Sequence, residues 1–256
     1  MLKKWNLAIP ELTGSEKRSI YVYVPDSYKT TPVLRYPVLY MFDGHNVFRD
    51  EDASFGQSWG LLDYMELTQT QMIVVGIESS RRPDNSRLVE YCPFTCADPK
   101  TGSRMRGQGR ATMDWLVRSL KPQIDRRFPT LPDRAHTFIG GSSMGGLMSL
   151  YAIMRYNWVF SRAVALSPSL WFAPEQVEHM LRTARLRPDT MVYMDYGTKE
   201  FSNHPNMFQY FMAATQLIME RGVDLTSRIV PEGDHSEGCW KKQVPVFMNL
   251  LQYELT

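Results

Sequence analysis

The chain has 256 residues, 43% of them apolar and 22% charged, a balance that excludes a disordered or collagen-like polymer and leaves enough apolar surface for one sizeable core. A formal net charge of +2, with no Lys/Arg run of the kind that tracks phosphates, argues against nucleic acid as a partner. No stretch of about 18 apolar residues occurs, and the basic start Met1-Leu2-Lys3-Lys4 leads into no apolar signal core, so neither a membrane span nor an export signal is expected.

Seven short runs rich in Val, Ile and Tyr read as strands: 19–25, 36–42, 72–78, 136–140, 162–167, 191–196 and 226–231. The first alternates as Ile20-Tyr21-Val22-Tyr23-Val24 and predicts an antiparallel edge. Val38-Leu39-Tyr40-Met41-Phe42 is apolar throughout, which implies burial on both faces. Between 79 and 112 the rhythm breaks, with Pro83, Pro93 and Pro99 and no clear period. A loop this long in a compact domain is usually functional, and it is read as a wall or lid over the site. Met113, Leu116, Leu120, Ile124 and Phe128 then recur at helical spacing, as do Met207, Phe211, Ala214 and Ile218. A last helix is predicted over 238–253, with Pro245 bending or restarting it. Strands alternating with helices give an α/β fold, a mostly parallel central sheet with helices on both faces. Without repeats or Gly/Ser linkers, residues 1–256 are read as one domain.

Cys92, Cys96 and Cys239 cannot all pair within one chain, and a chain of this length needs no staples, so a reduced, cytoplasmic setting is expected. Cys92 and Cys96 form C-x3-C with no second Cys/His pair at ligand spacing, which favours free thiols over zinc. No metal or other cofactor is expected.

In sheets of this class ligands sit beyond the carboxyl ends of the strands. Gly141-Ser142-Ser143-Met144-Gly145 matches G-x-S-x-G between an apolar strand and a helix-forming run. The spacing has a steric reason: a sharp strand-to-helix turn strains the serine backbone, and side chains two positions either side would collide with it. Ser143 is therefore the candidate nucleophile; Ser142 would have Met144 in its second glycine position. The helix that follows turns free N–H groups and a positive dipole end toward a forming oxyanion.

A serine hydroxyl needs a histidine base held in one tautomer by a carboxylate, in the chain order serine, acid, histidine. Of the five histidines, His179 falls in a predicted helix. His235 stands in the polar loop Pro231-Glu232-Gly233-Asp234-His235-Ser236, between the last strand and the last helix, and is the candidate base, with His204 as fallback. For the acid, Glu200 in the loop Gly197-Thr198-Lys199-Glu200 is better placed than Asp195 within the preceding strand; both stay open.

Four segments, Leu39-Tyr40-Met41-Phe42-Asp43-Gly44-His45-Asn46-Val47-Phe48, Gly141-Ser142-Ser143-Met144-Gly145-Gly146, Gly197-Thr198-Lys199-Glu200 and His235-Ser236-Glu237 with Trp240, resemble the esterase family of α/β-hydrolases. That family includes enterochelin esterase-like proteins, feruloyl and acetyl xylan esterases, S-formylglutathione hydrolases and mycolyltransferases. The resemblance spans nearly the whole chain and implies an α/β-hydrolase fold and a serine carboxylic-ester hydrolase. It implies that Glu200 is the acid, although many relatives carry Asp there, which leaves Asp195 open. It also implies an oxyanion hole from the backbone amides of Met144 and His45. No G-x-G-x-x-G follows an early strand, which argues against a dinucleotide-binding enzyme.

Trp59, Trp171, Phe172 and Phe201 lie near the site loops; Trp171 and Trp59 are the candidate substrate contacts. Arg81, Arg82, Arg87, Arg104, Arg106 and Arg110 crowd the 79–112 segment, where they are either a solvated basic loop or a greeting for an anionic substrate such as a catecholate siderophore. The expected substrate is a small acyl or hydroxycinnamoyl ester of a carbohydrate. A siderophore esterase, an acyltransferase on the same residues and a non-catalytic binding module are the alternatives. Oligomeric state is not legible.

Overall fold

A computed structural model describes residues 1–82, 84, 86–98 and 101–253, without the side chain of Glu11. Pro83 and Pro99 of the predicted loop lie outside the described residues. The strands are β1 (Leu2–Ala8), β2 (Lys17–Tyr23), β3 (Val38–Phe42), β4 (Ile73–Ile77), β5 (Thr95–Ala97), β6 (Arg104–Arg106), β7 (Thr137–Ser142), β8 (Arg162–Leu166), β9 (Met191–Gly197) and β10 (Asp224–Val230). Eight of them form one sheet in the order β1-β2-β4-β3-β7-β8-β9-β10, and β5 pairs with β6 in a separate hairpin. The pairs β1/β2 and β2/β4 are antiparallel, and the rest of the large sheet is parallel.

All seven predicted strands exist, and two expectations about the sheet are corrected. β2 is antiparallel as its alternation implied, but it is not the edge: β1 pairs along its whole length. β1 went unread because Lys3, Lys4 and Asn6 interrupt its apolar residues, and no residue in it is fully buried, as suits an edge strand kept safe by lysines. The second concerns the 79–112 segment, which is not structureless. It holds the short helix Ser86–Glu90 and the β5/β6 hairpin, elements too short to register as periodicity.

Alternation along each strand divides the core in two. Ile20, Val22, Tyr40, Phe42, Val75, Ile139, Ala165 and Met194 meet one face, with the helices Met144–Arg155, Pro174–Thr183 and Met207–Met219 and a long helix over 109–127 whose middle, Leu116–Leu120, is a π-helical turn. Tyr21, Tyr23, Leu39, Met41, Val74, Phe138, Val164 and Tyr193 meet the other, packed by the helices Leu61–Thr68 and Glu237–Gln252. The last helix continues through Pro245.

The parallel strands all end on one side. Asp43 follows β3, Ser79 follows β4, Ser143 follows β7, Ser167 follows β8, Glu200 follows β9 and His235 follows β10. Residues scattered over most of the sequence are thus delivered to one rim.

Candidate active site

Ser143 directly follows β7 and caps the helix Met144–Arg155 with φ 57° and ψ −121°. A side-chain-bearing residue in that region costs on the order of 1–3 kcal/mol and persists only where its surroundings fix it. Here they do: its amide donates to the Leu166 carbonyl at 2.9 Å, and its own carbonyl accepts from the amides of Leu147 and Ser169, each at 3.0 Å. A Cβ on Gly141 would stand 2.8 Å from the carbonyl carbon of Gly145, the collision that the G-x-S-x-G spacing avoids.

The Ser143 hydroxyl lies 2.9 Å from His235 Nε2, and His235 Nδ1 lies 2.6 Å from Glu200 Oε2. Glu200 is 1% exposed, so its carboxylate depends on local donors. Its Oε1 accepts from the Ser167 hydroxyl at 2.6 Å and from the Gly197 amide at 2.9 Å. Ser167 in turn accepts from Trp240 Nε1 at 3.0 Å, and the Trp240 indole meets the His235 ring edge-on. With the carboxylate as acceptor, Nδ1 carries the proton and Nε2 presents a lone pair to the serine hydroxyl.

Asp195 does not compete for the imidazole. It is buried in β9, where its carboxylate accepts from the Ser167 amide at 3.3 Å and the Tyr193 hydroxyl at 2.8 Å. Burial pushes its pKa up to about 7, against the pull of those hydrogen bonds and with help from the Glu200 charge. His204 stacks on Trp171, ring centroids 3.7 Å apart, and it is His235 that meets the Ser143 hydroxyl.

Met144 opens the nucleophile's helix, where backbone N–H groups lack intrahelical acceptors. His45 lies in the turn Gly44–Asn46 after β3. His45 is 3% exposed, and burial lowers its pKa despite the nearby Asp43 charge. The turn is set by Asp43, held at φ 53° and ψ 44°. Asp43 Oδ1 accepts from Arg87 Nε at 2.8 Å and the Ser79 hydroxyl at 2.6 Å, and Oδ2 accepts from Arg87 Nη2 at 2.7 Å. Its amide donates to the Tyr91 hydroxyl at 3.2 Å. Burial alone would raise the pKa of this carboxyl, but the charge and hydrogen bonds of Arg87 outweigh it and hold the pKa below the ordinary value.

A cavity of about 540 Å³ opens beside Ser143 and His235, with His45, Arg81, Glu237 and Trp240 in its lining. Burial raises the Glu237 pKa, and its carboxylate accepts from Asn46 Nδ2 at 3.3 Å. The Arg-rich reading of the 79–112 segment narrows. Of the six arginines, Arg81 and Arg87 line the cavity, and Arg87 is engaged by Asp43. Arg82 pairs with Glu16, and Arg110 lies 3.8 Å from Asp114.

Neither predicted tryptophan contact is among the residues that line this cavity. Trp59 is 1% exposed and packs against Trp240 and Phe247 in the core, because its indole turns under the sheet rather than over the rim. Trp171 is half-buried but outside the cavity lining. Sequence reasoning missed the Ser167 hydroxyl and the Asp43–Arg87–Tyr91 group. Ser167 had a usable signal, its position directly after β8.

Residues 13–248 match the family described as "Putative esterase". "Uncharacterized protein YbbA" of Bacillus subtilis (strain 168) is 24% identical over 203 residues, 78% of this chain and 76% of the relative. The fold is similar to that of an IroE-like serine hydrolase from Shewanella oneidensis, with a TM-score of 0.77 at 18% identity over 98% of this chain and 80% of that one. A ferulic acid esterase gives 0.72 at 16% identity over 98% and 97%. The enterobactin esterase FES from Shigella flexneri gives 0.75 at 16% identity over 100% of this chain and 60% of that one. The chain belongs to the "Putative esterase" family and is a carboxylic ester hydrolase of the α/β-hydrolase fold.

Proposed function

We propose that the chain is a serine esterase working through an acyl-enzyme, with Ser143 as nucleophile, His235 as general base and acid, and Glu200 as the carboxylate that orients the imidazole. The observation that carries this reading is the unbroken relay Ser143 Oγ, His235, Glu200, at 2.9 and 2.6 Å. Ser143 Oγ attacks the ester carbonyl carbon while His235 Nε2 takes its proton. The oxyanion accepts hydrogen bonds from the amides of Met144 and His45, each such donor being worth about 2.7–4 kcal/mol of barrier. His235 then protonates the departing alkoxide. Water attacks the acyl-enzyme with His235 again as base, releasing the acid and restoring Ser143. The test is labelling with a fluorophosphonate: wild-type protein takes one adduct at Ser143, and Ser143→Ala takes none and loses about six orders of magnitude in kcat. Labelling elsewhere, or undiminished turnover by the variant, would refute the assignment.

For the substrate, the cavity lies within the range of about 300–1,000 Å³ usual for small-molecule sites, and hydroxyl, carboxylate and guanidinium groups contribute much of its lining. This favours a small acyl or hydroxycinnamoyl ester on a hydroxyl-rich alcohol such as a sugar, with the 79–112 segment as one wall. Arg81 supports a second reading, an anionic catecholate ester of the siderophore kind, because its guanidinium lines the cavity, is half-exposed and holds Glu78 only loosely, at 3.6 Å. Comparing kcat/KM for methyl ferulate, acetylated xylan and a catecholate lactone, with Arg81→Ala alongside, separates them. Selective loss on the lactone supports the siderophore reading, and equal rates with the variant on all three remove it.

A further inference from the structure

Two thiols outside the hydrolytic machinery stand in contact. Cys92 Sγ and Cys96 Sγ are 3.6 Å apart. Cys92 follows the helix Ser86–Glu90 and has no exposed surface, whereas Cys96, in the middle of β5, is half-buried. The backbone between them is pinned from outside: the Cys92 carbonyl accepts from the Gly109 amide at 2.8 Å, and the Phe94 carbonyl accepts from the Gly107 amide at 2.9 Å. Sulfurs held this way have only to close from contact distance to the bonded length of about 2.05 Å, a shift that small side-chain rotations supply.

We propose that Cys92 and Cys96 are a redox-active pair that closes into an intrachain disulfide when the protein meets a small-molecule disulfide oxidant such as oxidised glutathione. Exposure sets the order of events. The Cys96 thiolate attacks one glutathione sulfur and expels the first glutathione thiolate, leaving a mixed disulfide. The Cys92 thiolate then attacks the Cys96 sulfur and expels the second. The protein dithiol loses two electrons and two protons, and glutathione disulfide gains both as two thiols. Cys239 is in the helix Glu237–Gln252, outside this pair, and serves as an internal control.

The site adjoins the esterase machinery. Cys92 directly follows Tyr91, which receives the Asp43 amide, so the bond would staple the wall segment next to its contact with the turn that carries His45. Burial, with the Cys96 charge adding to it, pushes the Cys92 thiol up to about 12. The Cys96 contribution ends once Cys96 is in the mixed disulfide. Burial still leaves the thiolate scarce, so closure quickens as pH rises.

The experiment incubates the full chain with oxidised glutathione, quenches with acid, alkylates, digests with trypsin and weighs the peptide spanning residues 88–100. The expected peptide is two hydrogen masses lighter and carries no alkyl group, and both labels return after dithiothreitol. Cys92→Ser should stop at the glutathione adduct on Cys96, Cys96→Ser should show no adduct on this peptide, and Cys239→Ser should behave as wild type. Full alkylation of Cys92 and Cys96, a lasting glutathione adduct in the wild-type protein, or a bond from either to Cys239 would overturn the proposal, and the wild-type measurement depends on no variant folding.

Discussion

Asp43 and Arg87 stand 44 positions apart and meet through a two-point ion pair. One belongs to the turn after β3, the other to the short helix of the 79–112 segment. Their union fixes a left-handed residue two positions before the amide proposed as an oxyanion donor.

Arg87→Met should leave a 4%-exposed carboxylate without its countercharge, costing about 3 kcal/mol in urea unfolding at pH 7. The pair depresses the Asp43 pKa, so its stabilisation is present above the unfolded carboxyl pKa and is lost as pH falls through the folded one. The gap between wild type and variant should therefore narrow below about pH 4. In steady-state kinetics kcat should drop about ten- to a hundredfold with KM little changed, and Arg87→Lys should recover part of it. A change confined to KM would place the pair in substrate binding instead.

Glu200→Gln should lower kcat by about 10³–10⁴, because an amide cannot both accept from Ser167 and Gly197 and hold Nδ1–H in place. Asp195→Asn should stay within about tenfold of wild type on the same ester. The opposite ranking would move the acid to Asp195.

Asp195 has a folded pKa of about 7 against an ordinary 3.8, so the native state holds a proton that the unfolded chain has released. Stability carried by that proton is complete below the unfolded value and fades as pH rises through the folded one. Asp195→Asn should flatten the fall in unfolding free energy between pH 4 and 7, measured by urea titration at each pH. Parallel curves for the two proteins would show that the carboxyl is not protonated in this window.

Trp240→Phe removes the indole donor to Ser167 and keeps the aromatic packing. A cost of about 1 kcal/mol in stability and a fall in kcat no greater than about tenfold are expected, since Ser167 can still donate to Glu200. A loss as large as that of Glu200→Gln would mean that the indole, not Ser167, organises the carboxylate.

Much of this was legible in the sequence because parallel strands buried on both faces announce themselves as apolar runs, and because chemistry at their carboxyl ends follows strand by strand. Ser143, His235 and Glu200 each follow such a run, and they meet within hydrogen-bond distance. What escaped has physical causes. β1 is half-exposed and lysine-rich, β5 and β6 are three residues each, and no local pattern links Asp43 to Arg87. Trp59 shows the limit of adjacency: it stands near a site loop in sequence, yet a rotation about the chain sends its indole into the core.

The glycines at positions 197 and 233 let the loops that deliver Glu200 and His235 touch main chain to main chain. A methyl group on either would strike the other's backbone, and the Lys199 amide donates to the Gly233 carbonyl at 3.0 Å. The proposed proton-handling pair, Glu200 and His235, is thereby carried on two loops joined through their main chains. A variant built to accept a different ester can therefore change other residues of the cavity lining, Arg81 and Phe55 among them, without touching that main-chain contact.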